Sequence, residues 1–161
     1  MSGKPPGSVK SRVRVTGTVL VILVAALPVW GALGGDVSSV QTDQLDMQGT
    51  RQMTAKQSYT VYELRAATGT VVREYASPTG TVFAVAWQGP WLPDMRQLLG
   101  SYFEQYAQAA KTQSGARMGR RPLMIEQPGL VVESGGHPRA FVGKAYVPEM
   151  LPQGVRAEDL Q

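Results

Sequence analysis

Imidazole and carboxylate side chains are the groups in this sequence that could perform acid–base or nucleophilic chemistry. The 161 residues contain a single histidine, His137, and no cysteine. A serine–histidine–acid triad would therefore have to use His137, which lies in the segment 135–138 (GGHP), typical of a turn. The sequence also has no Gly-x-Ser-x-Gly elbow. We interpret His137 as a turn or surface residue rather than a catalytic base.

Metal and cofactor chemistry finds little support in these residue types. Zinc and copper sites favour imidazole and thiolate ligands, and phosphate-loop, dinucleotide and calcium-loop patterns are absent from the sequence. We expect no cofactor. A glycosidase would need two acids roughly 5–10 Å apart, for which five residues are available: Glu63, Glu74, Asp94, Glu126 and Glu133. Glu63 is predicted to face Arg73 across two strands, which explains it as an ion pair.

Aromatic side chains offer a different chemistry, the binding of a glycan or peptide. Rings supply contact area with little loss of conformational entropy. Tyr75, Phe83 and Trp87 are predicted to share one sheet face with Val85, and Trp91 follows a Gly-Pro turn. Arg73 and His137 are expected near these rings. The candidate binding residues are therefore Arg73, Tyr75, Phe83, Trp87, Trp91 and His137.

The same aromatic face has three alternative interpretations. It could be an exposed binding surface, or a second core layer covered by the N-terminal helix or the C-terminal strands. A sheet with two apolar faces must bury both, so the covered arrangement is favoured. A partner chain could also supply the cover, and Trp91 could simply staple the start of a helix.

Residues 59–87 have the alternation and turn signals of a β-meander. The tetrapeptide TGTV at 68–71 recurs at 79–82, a spacing of one strand plus one turn. The segment 77–80 (SPTG) is typical of a type I turn followed by a glycine bulge, and 66–69 can adopt the same geometry. Counting back from these turns predicts three cross-strand neighbours: Glu63–Arg73, Tyr75–Phe83 and Val71–Trp87.

A long amphipathic helix is predicted from an Asp94 cap to about Ala110. Its apolar residues recur at three- and four-residue steps: Met95, Leu98, Leu99, Tyr102, Phe103 and Tyr106. Gly100 inside this helix costs about 1 kcal/mol relative to Ala, which indicates close approach to another backbone. We predict that the stripe packs on the small side chains Ala84 and Ala86, on the sheet face opposite the aromatic one.

The remaining segments complete the predicted fold. Asp36 can cap a short N-terminal helix at 37–48, and 111–121 is polar and predicted to be a mobile loop. Strands are predicted at 123–126, 130–134 and 139–147, and 148–161 is an irregular tail with at most one helical turn, at 157–160. We predict a single α+β domain, an antiparallel meander of about five or six strands packed by one long helix and a short N-terminal one.

The first 31 residues have the three parts of a secretory signal. Four cations precede a nine-residue apolar run at 19–27, whereas a membrane-spanning helix needs about 20 residues. The small residues Val29 and Gly31 predict cleavage after Gly31, giving a signal peptide of 1–31 and a mature domain of 32–161. We expect no stable membrane span after cleavage; an uncleaved N-terminal anchor is the alternative.

The charge distribution argues against a nucleic-acid partner. The formal net charge is +4, from 16 basic and 12 acidic residues. Four of the basic residues lie in the leader, and the first acid is Asp36. Removing those four leaves 12 basic against 12 acidic residues, so the mature chain has no electrostatic footprint for nucleic acid.

Several separate blocks of the chain resemble one family. They include GGD at 34–36, GTVVREY at 69–75, FAVAWQGP at 83–90, QPGLV at 127–131, SGGH at 134–137 and AYVP at 145–148. The chain is similar over its mature length to the exported bacterial proteins catalogued as domain of unknown function 2844. The resemblance implies a proteobacterial envelope or secreted protein with a cleaved signal, and it implies no activity or catalytic residues.

The functional prediction is a non-enzymatic module, exported to the periplasm or the medium, that binds an envelope glycan, peptide or protein. The alternative is a small envelope hydrolase acting on glycan or peptide through paired carboxylates. A hydrolase requires two acids, or one acid and His137, converging in a concave pocket. A binding module predicts an exposed aromatic patch without that convergence.

Overall fold

The computed structural model describes Met1 and residues 33–37, 50–114 and 122–161. These residues form one antiparallel sheet with the strand order β1-β2-β3-β4-β7-β6-β5. The strands are β1 Thr50–Ala55, β2 Thr60–Arg65, β3 Val71–Ala76, β4 Val82–Gly89, β5 Leu123–Gln127, β6 Leu130–His137 and β7 Ala140–Tyr146. Two meanders, β1 to β4 and β5 to β7, thus meet where β4 pairs with β7. The α+β expectation agrees with this largely sheet architecture.

The sheet has seven strands rather than the five or six expected, because β1 was missed. Its residues are exposed except for the half-buried Arg51. A strand that buries neither face has no need of the period-two pattern by which strands are recognised in a sequence.

The two predicted tight turns are confirmed. Gly80 N–H donates to the Ser77 carbonyl at 2.9 Å, and Gly69 N–H donates to the Ala66 carbonyl at 2.9 Å. Both glycines have a φ of +87°, in the left-handed region that favours glycine. The β6–β7 connection is tighter than predicted: β6 continues through His137, and two residues, 138 and 139, make the turn.

The predicted register holds in part. Glu63 pairs with Arg73 as expected, but Tyr75 pairs with Ala84 rather than Phe83, and Val71 with Gln88 rather than Trp87. Next to the turn, Ala76 does pair with Val82, and the register then shifts by one residue. The shift leaves Phe83 as the extra residue on β4, and its carbonyl accepts a hydrogen bond from the Val147 N–H at 3.0 Å.

This one-residue shift moves every later side chain of β4 to the other face of the sheet. Val85 and Trp87 belong to the buried cluster that includes the helices, and Ala84 and Ala86 belong to the opposite cluster with Tyr75 and Phe83. The prediction that the helix packs on Ala84 and Ala86 is therefore wrong. We call the two sides the helix face and the tail face.

The helical segment begins and ends close to the predicted positions, but it is interrupted. It comprises α1 (Met95–Leu99), a 3₁₀ turn (Gly100–Tyr102) and α2 (Phe103–Ser114). The Asp94 cap is confirmed, with Oδ1 accepting from the N–H groups of Arg96 at 2.8 Å and Gln97 at 3.3 Å. The predicted apolar stripe is also confirmed, because its six residues pack in the helix-face core.

Gly100 ends α1 with a φ of +51° and a ψ of −120°, a backbone conformation that glycine adopts readily and that other residues rarely do. Residues 111–114, predicted to be loop, belong to α2. The rest of that loop (115–121), residues 38–48 of the predicted N-terminal helix and the predicted signal peptide, apart from Met1, lie outside the described residues. At the predicted start of that helix, Asp36 forms a β-bridge with Thr81, and Val37 N–H donates to the Gly80 carbonyl at 2.9 Å.

The helix face also incorporates the short segment 33–37. Leu33 is 1% exposed and lies in this core, and its N–H donates to the Leu98 carbonyl at 3.1 Å. Gly34 N–H donates to the Val82 carbonyl, and Val82 N–H donates to the Gly35 carbonyl. This segment is therefore joined to both β4 and α1.

The tail face is covered by residues 148–161, which we call the tail. The tail contains two 3₁₀ turns, Pro148–Met150 and Ala157–Asp159, one more than predicted; the second lies at the predicted position. Its residues Leu151, Val155 and Leu160 pack on the tail face of the sheet. Within the ranges that the structure describes, no helix has the length and apolarity needed to cross a membrane.

Candidate functional site

Three aromatic rings, those of Tyr59, Tyr75 and Phe83, lie together on the tail face. The ring centroids are 6.3 Å apart for Tyr75–Phe83, 5.9 Å for Tyr59–Tyr75 and 6.0 Å for Tyr59–Phe83. Tyr75 and Phe83 are only 3% and 0% exposed. Of the alternatives, the structure therefore has the covered arrangement, with the tail as cover rather than a helix or strands.

The end of the tail is fixed to this face by main-chain hydrogen bonds. The Tyr75 hydroxyl donates to the Gln161 carbonyl at 2.6 Å and accepts from the Gln161 N–H at 2.9 Å. Arg73 donates to the same carbonyl at 3.1 Å and to Glu63 at 2.9 Å. Burial raises the pKa of the Tyr75 phenol, and the Gln161 bond and the Arg73 charge oppose that rise. Arg73 and Tyr75 thus have structural partners.

Trp87 lies on the helix face rather than beside Tyr75 and Phe83, and it is 1% exposed. Its indole covers Gly143: a Cβ atom at Gly143 would lie 2.3 Å from Trp87 Cζ2. The buried Trp87 Nε1 has no hydrogen-bond partner within the described part of the chain. The bulge in β4 is the reason for this position, because it reverses the side to which residue 87 points.

Two of the five acids available for a paired-carboxylate mechanism, Glu126 and Glu133, lie on the neighbouring strands β5 and β6, and the charges of both act on Tyr146. Glu74 is buried on the helix face, where its cross-strand neighbours are Tyr62 on β2 and Val85 on β4. Glu133 lies 3.7 Å from Lys144. Among the residues that the structure describes, no group of three or more His, Cys, Asp or Glu is placed to hold a metal ion.

His137 is exposed at the end of β6, with Nδ1 3.1 Å from the Pro138 carbonyl oxygen. Tyr146 is half-buried and packs against the tail-face cluster. Burial raises the pKa of the Tyr146 phenol, and the charges of Glu133, Glu126 and Glu158 raise it further.

Trp91 is the one predicted binding aromatic that is strongly exposed, and it lines a cavity of about 350 Å³. We call this cavity the Trp91 groove. It lies between the β2–β3 turn and the start of α1, and its lining comprises Ala66, Ala67, Thr68, Thr70, Val72, Trp91, Leu92, Pro93, Asp94 and Gln97. Trp91 is 60% exposed and Leu92 46%.

A buried threonine fixes the backbone beneath this exposed indole. The Thr70 hydroxyl donates to the Trp91 carbonyl at 2.9 Å and accepts from the Trp91 N–H at 3.3 Å. Thr70 is itself 3% exposed, and it packs closely on Gly89, where a Cβ atom would lie 2.5 Å from Thr70 Cα. Thr70 was not predicted as a site residue, although the repeated TGTV tetrapeptide contains it. Its partner Trp91 lies 21 residues away, so the repeat carried no signal for this contact.

A second cavity, of about 500 Å³, lies beside the tail and includes Gln88, Val142, Lys144 and Gln161 in its lining. The Lys144 ammonium there already donates to the Ala157 carbonyl at 2.8 Å, and the aromatic residue in that lining, Trp87, is buried. Among the described lining residues, each cavity has a single acidic side chain, Asp94 in the first and Glu133 in the second. The Trp91 groove is therefore the better candidate for ligand binding.

Comparison with known proteins agrees with the resemblance seen in the sequence blocks. No curated protein and no solved structure matches the chain. One family model matches residues 30–160, a span that includes every strand, both helices, the Trp91 groove and most of the tail. The chain therefore belongs to the family described as protein of unknown function DUF2844.

Proposed function

We propose that this protein is an exported, non-enzymatic module that binds a component of the bacterial envelope through the Trp91 groove. The observation that carries the proposal is the combination of a 60% exposed indole with a fixed backbone. A large, flat side chain whose main chain is already ordered can bind with little further entropic loss. Tryptophan is also among the residues enriched at energetically dominant contact points.

Export to the periplasm or the medium is part of the proposal. It is supported by the basic leader and its short apolar run, which are typical of a signal peptide. The core position of Leu33 is compatible with cleavage after Gly31, because a cut there leaves the whole segment 33–37 attached to β4 and α1.

Binding is favoured over hydrolysis because three of the five candidate carboxylates have other partners. Asp94 caps α1, Glu63 is paired with Arg73 and Arg65, and Glu133 lies beside Lys144. Neither cavity brings two acids, or an acid and His137, together, as general acid–base chemistry would require.

Capture from the envelope of the source bacterium tests this function. The full chain carries a C-terminal affinity tag, and the product recovered from the envelope fraction should begin at Ala32. Three proteins are compared: wild type, Trp91→Ala and a control, Met53→Ala. Met53 is a 62% exposed apolar residue on the edge strand β1, so it matches Trp91 in exposure but not in position.

We expect wild type and Met53→Ala to retain the same envelope component, and Trp91→Ala to lose it. All three should have the same thermal unfolding midpoint, since surface substitutions usually change stability by about 0.5 kcal/mol or less. Recovery of the same material by Trp91→Ala, or recovery of all three proteins from the cytosol with Met1 attached, would contradict the proposal.

A further inference from the structure

We infer that the ligand of the Trp91 groove is an uncharged carbohydrate, whose apolar ring face stacks on the Trp91 indole. The inference rests on the proposed function and specifies its ligand. It follows from three properties of the groove: its charge, the polar groups that it leaves available, and its volume.

The charge of the groove disfavours anionic ligands. Among the described residues that line it, Asp94 is the only charged one, and none is a lysine or arginine. A phosphate- or sulfate-rich polymer bound in the groove would lie close to the Asp94 carboxylate with no cation in the lining to compensate, and like charges in close proximity repel each other. An uncharged ligand meets no such penalty.

The available polar groups suit hydroxyl donors. Asp94 uses Oδ1 for the cap of α1, and within the described ranges its Oδ2 has no hydrogen-bond partner. The Thr68 hydroxyl is likewise exposed, with no partner in that part of the chain. A carboxylate oxygen accepts hydrogen bonds from sugar hydroxyls, and such charge-assisted bonds are among the stronger ones.

The main chain of the groove offers little to an extended peptide. Ala66 N–H donates to the Thr70 carbonyl, and Gly69 N–H donates to the Ala66 carbonyl. The N–H and carbonyl of Trp91 are both bonded to the Thr70 hydroxyl. A peptide recognised by strand addition needs free main-chain groups on its host, and these groups are already paired. A sugar needs only the ring and the side-chain acceptors.

The volume is also that of a small-ligand site. At about 350 Å³, the groove lies at the lower end of the range of roughly 300–1,000 Å³ found for such sites. It therefore suits a short stretch of an oligosaccharide rather than a folded protein surface.

The test uses the protein recovered from the envelope fraction and measures its binding to immobilised envelope extract. The extract is used untreated or after digestion by a broad-specificity protease. Tri-N-acetylchitotriose, maltotriose and a proline-rich peptide serve as soluble competitors. Protein variants are Trp91→Ala, Asp94→Asn and Arg96→Ala. Asparagine caps helices about as well as aspartate, so Asp94→Asn keeps the cap, removes the charge and replaces the acceptor Oδ2 with an amide NH2 donor. Arg96, on the exposed side of α1, pairs with Glu104 and does not line the groove.

We expect binding to survive protease treatment and to be competed by at least one oligosaccharide but not by the peptide. Trp91→Ala should weaken binding at least about tenfold, Asp94→Asn by about three- to tenfold, and Arg96→Ala should leave it unchanged. Loss of binding after proteolysis, competition by the peptide, or competition by neither oligosaccharide would overturn the carbohydrate assignment. If capture still depends on Trp91 in that case, the proposed binding function stands. If Trp91→Ala binds untreated extract as well as wild type does, both the carbohydrate assignment and the proposed binding function are wrong.

Discussion

Tyr75 illustrates how far a residue type predicts a role. The alternation of side chains along β3 predicted that Tyr75 shares a sheet face with Phe83, and the structure has both residues on the tail face. The aromatic ring of Tyr75 suggested that this face binds a ligand. Its hydroxyl, however, both donates to and accepts from the main chain of Gln161. That contact joins residues 86 positions apart, so no local pattern could indicate it. Side-chain chemistry was readable from the sequence, whereas the partner that satisfies it was not.

Replacement of Tyr75 by Phe should lower the free energy of unfolding by about 1 kcal/mol, since it deletes this paired hydrogen bond and leaves the ring in place. Urea denaturation measures the change. Tyr59→Phe is the matched control, because its ring touches the same cluster and its hydroxyl has no hydrogen bond in the described part of the chain. Equal stabilities of the two variants would contradict the role assigned to the Tyr75 hydroxyl.

The same residue gives a pH dependence. Burial raises the pKa of Tyr75 above its ordinary value of 10.0, so the folded state holds the phenolic proton more tightly than the unfolded state. Its contribution to stability is complete below pH 10 and declines as the pH rises through the folded-state pKa. Wild type should therefore lose stability above pH 10 more steeply than Tyr75→Phe; parallel curves would count against burial of this phenol.

At the scale of elements, the sequence predicted what local chemistry determines. The turns at 66–69 and 77–80 were predicted because proline and glycine constrain their own backbone, and the Asp94 cap for a similar reason. The bulge in β4 was not predicted, because it involves residues that are distant in sequence. Val82 and Phe83 make main-chain hydrogen bonds to Gly34, Gly35 and Val147. The wrong packing surface for the helix followed directly from that bulge.

The tail is an irregular element that nevertheless completes a core layer. Leu160 is 2% exposed against Tyr75, Phe83, Ala84 and Ala86, so Leu160→Ala should lower stability by about 2–5 kcal/mol. Glu158→Ala, two residues earlier with a 75% exposed side chain, should change it by about 0.5 kcal/mol or less. Thermal unfolding followed by circular dichroism compares them. A Leu160→Ala protein as stable as Glu158→Ala would show that the tail does not cover this face.

At the scale of the whole molecule, a seven-stranded sheet buries one face under the helices and the other under the tail. Tyr75, Phe83 and Trp87 are buried in these two layers, whereas Trp91, just after the end of the central strand β4, is exposed. Trp91 could be selected from the sequence, since it lies among prolines between two elements. The groove around Trp91 could not be predicted, because Thr70 and the β2–β3 turn are brought next to Trp91 only when the chain folds.

The most direct test of the account distinguishes the two tryptophans that remain after the proposed cut. In ¹⁵N-labelled protein recovered from the envelope fraction, each indole N–H gives one signal, assigned with a Trp91→Phe variant. On addition of soluble envelope extract, the Trp91 signal should shift and the signal of the buried Trp87 should stay in place. An unchanged Trp91 signal, or a shift confined to Trp87, would contradict recognition through the Trp91 groove.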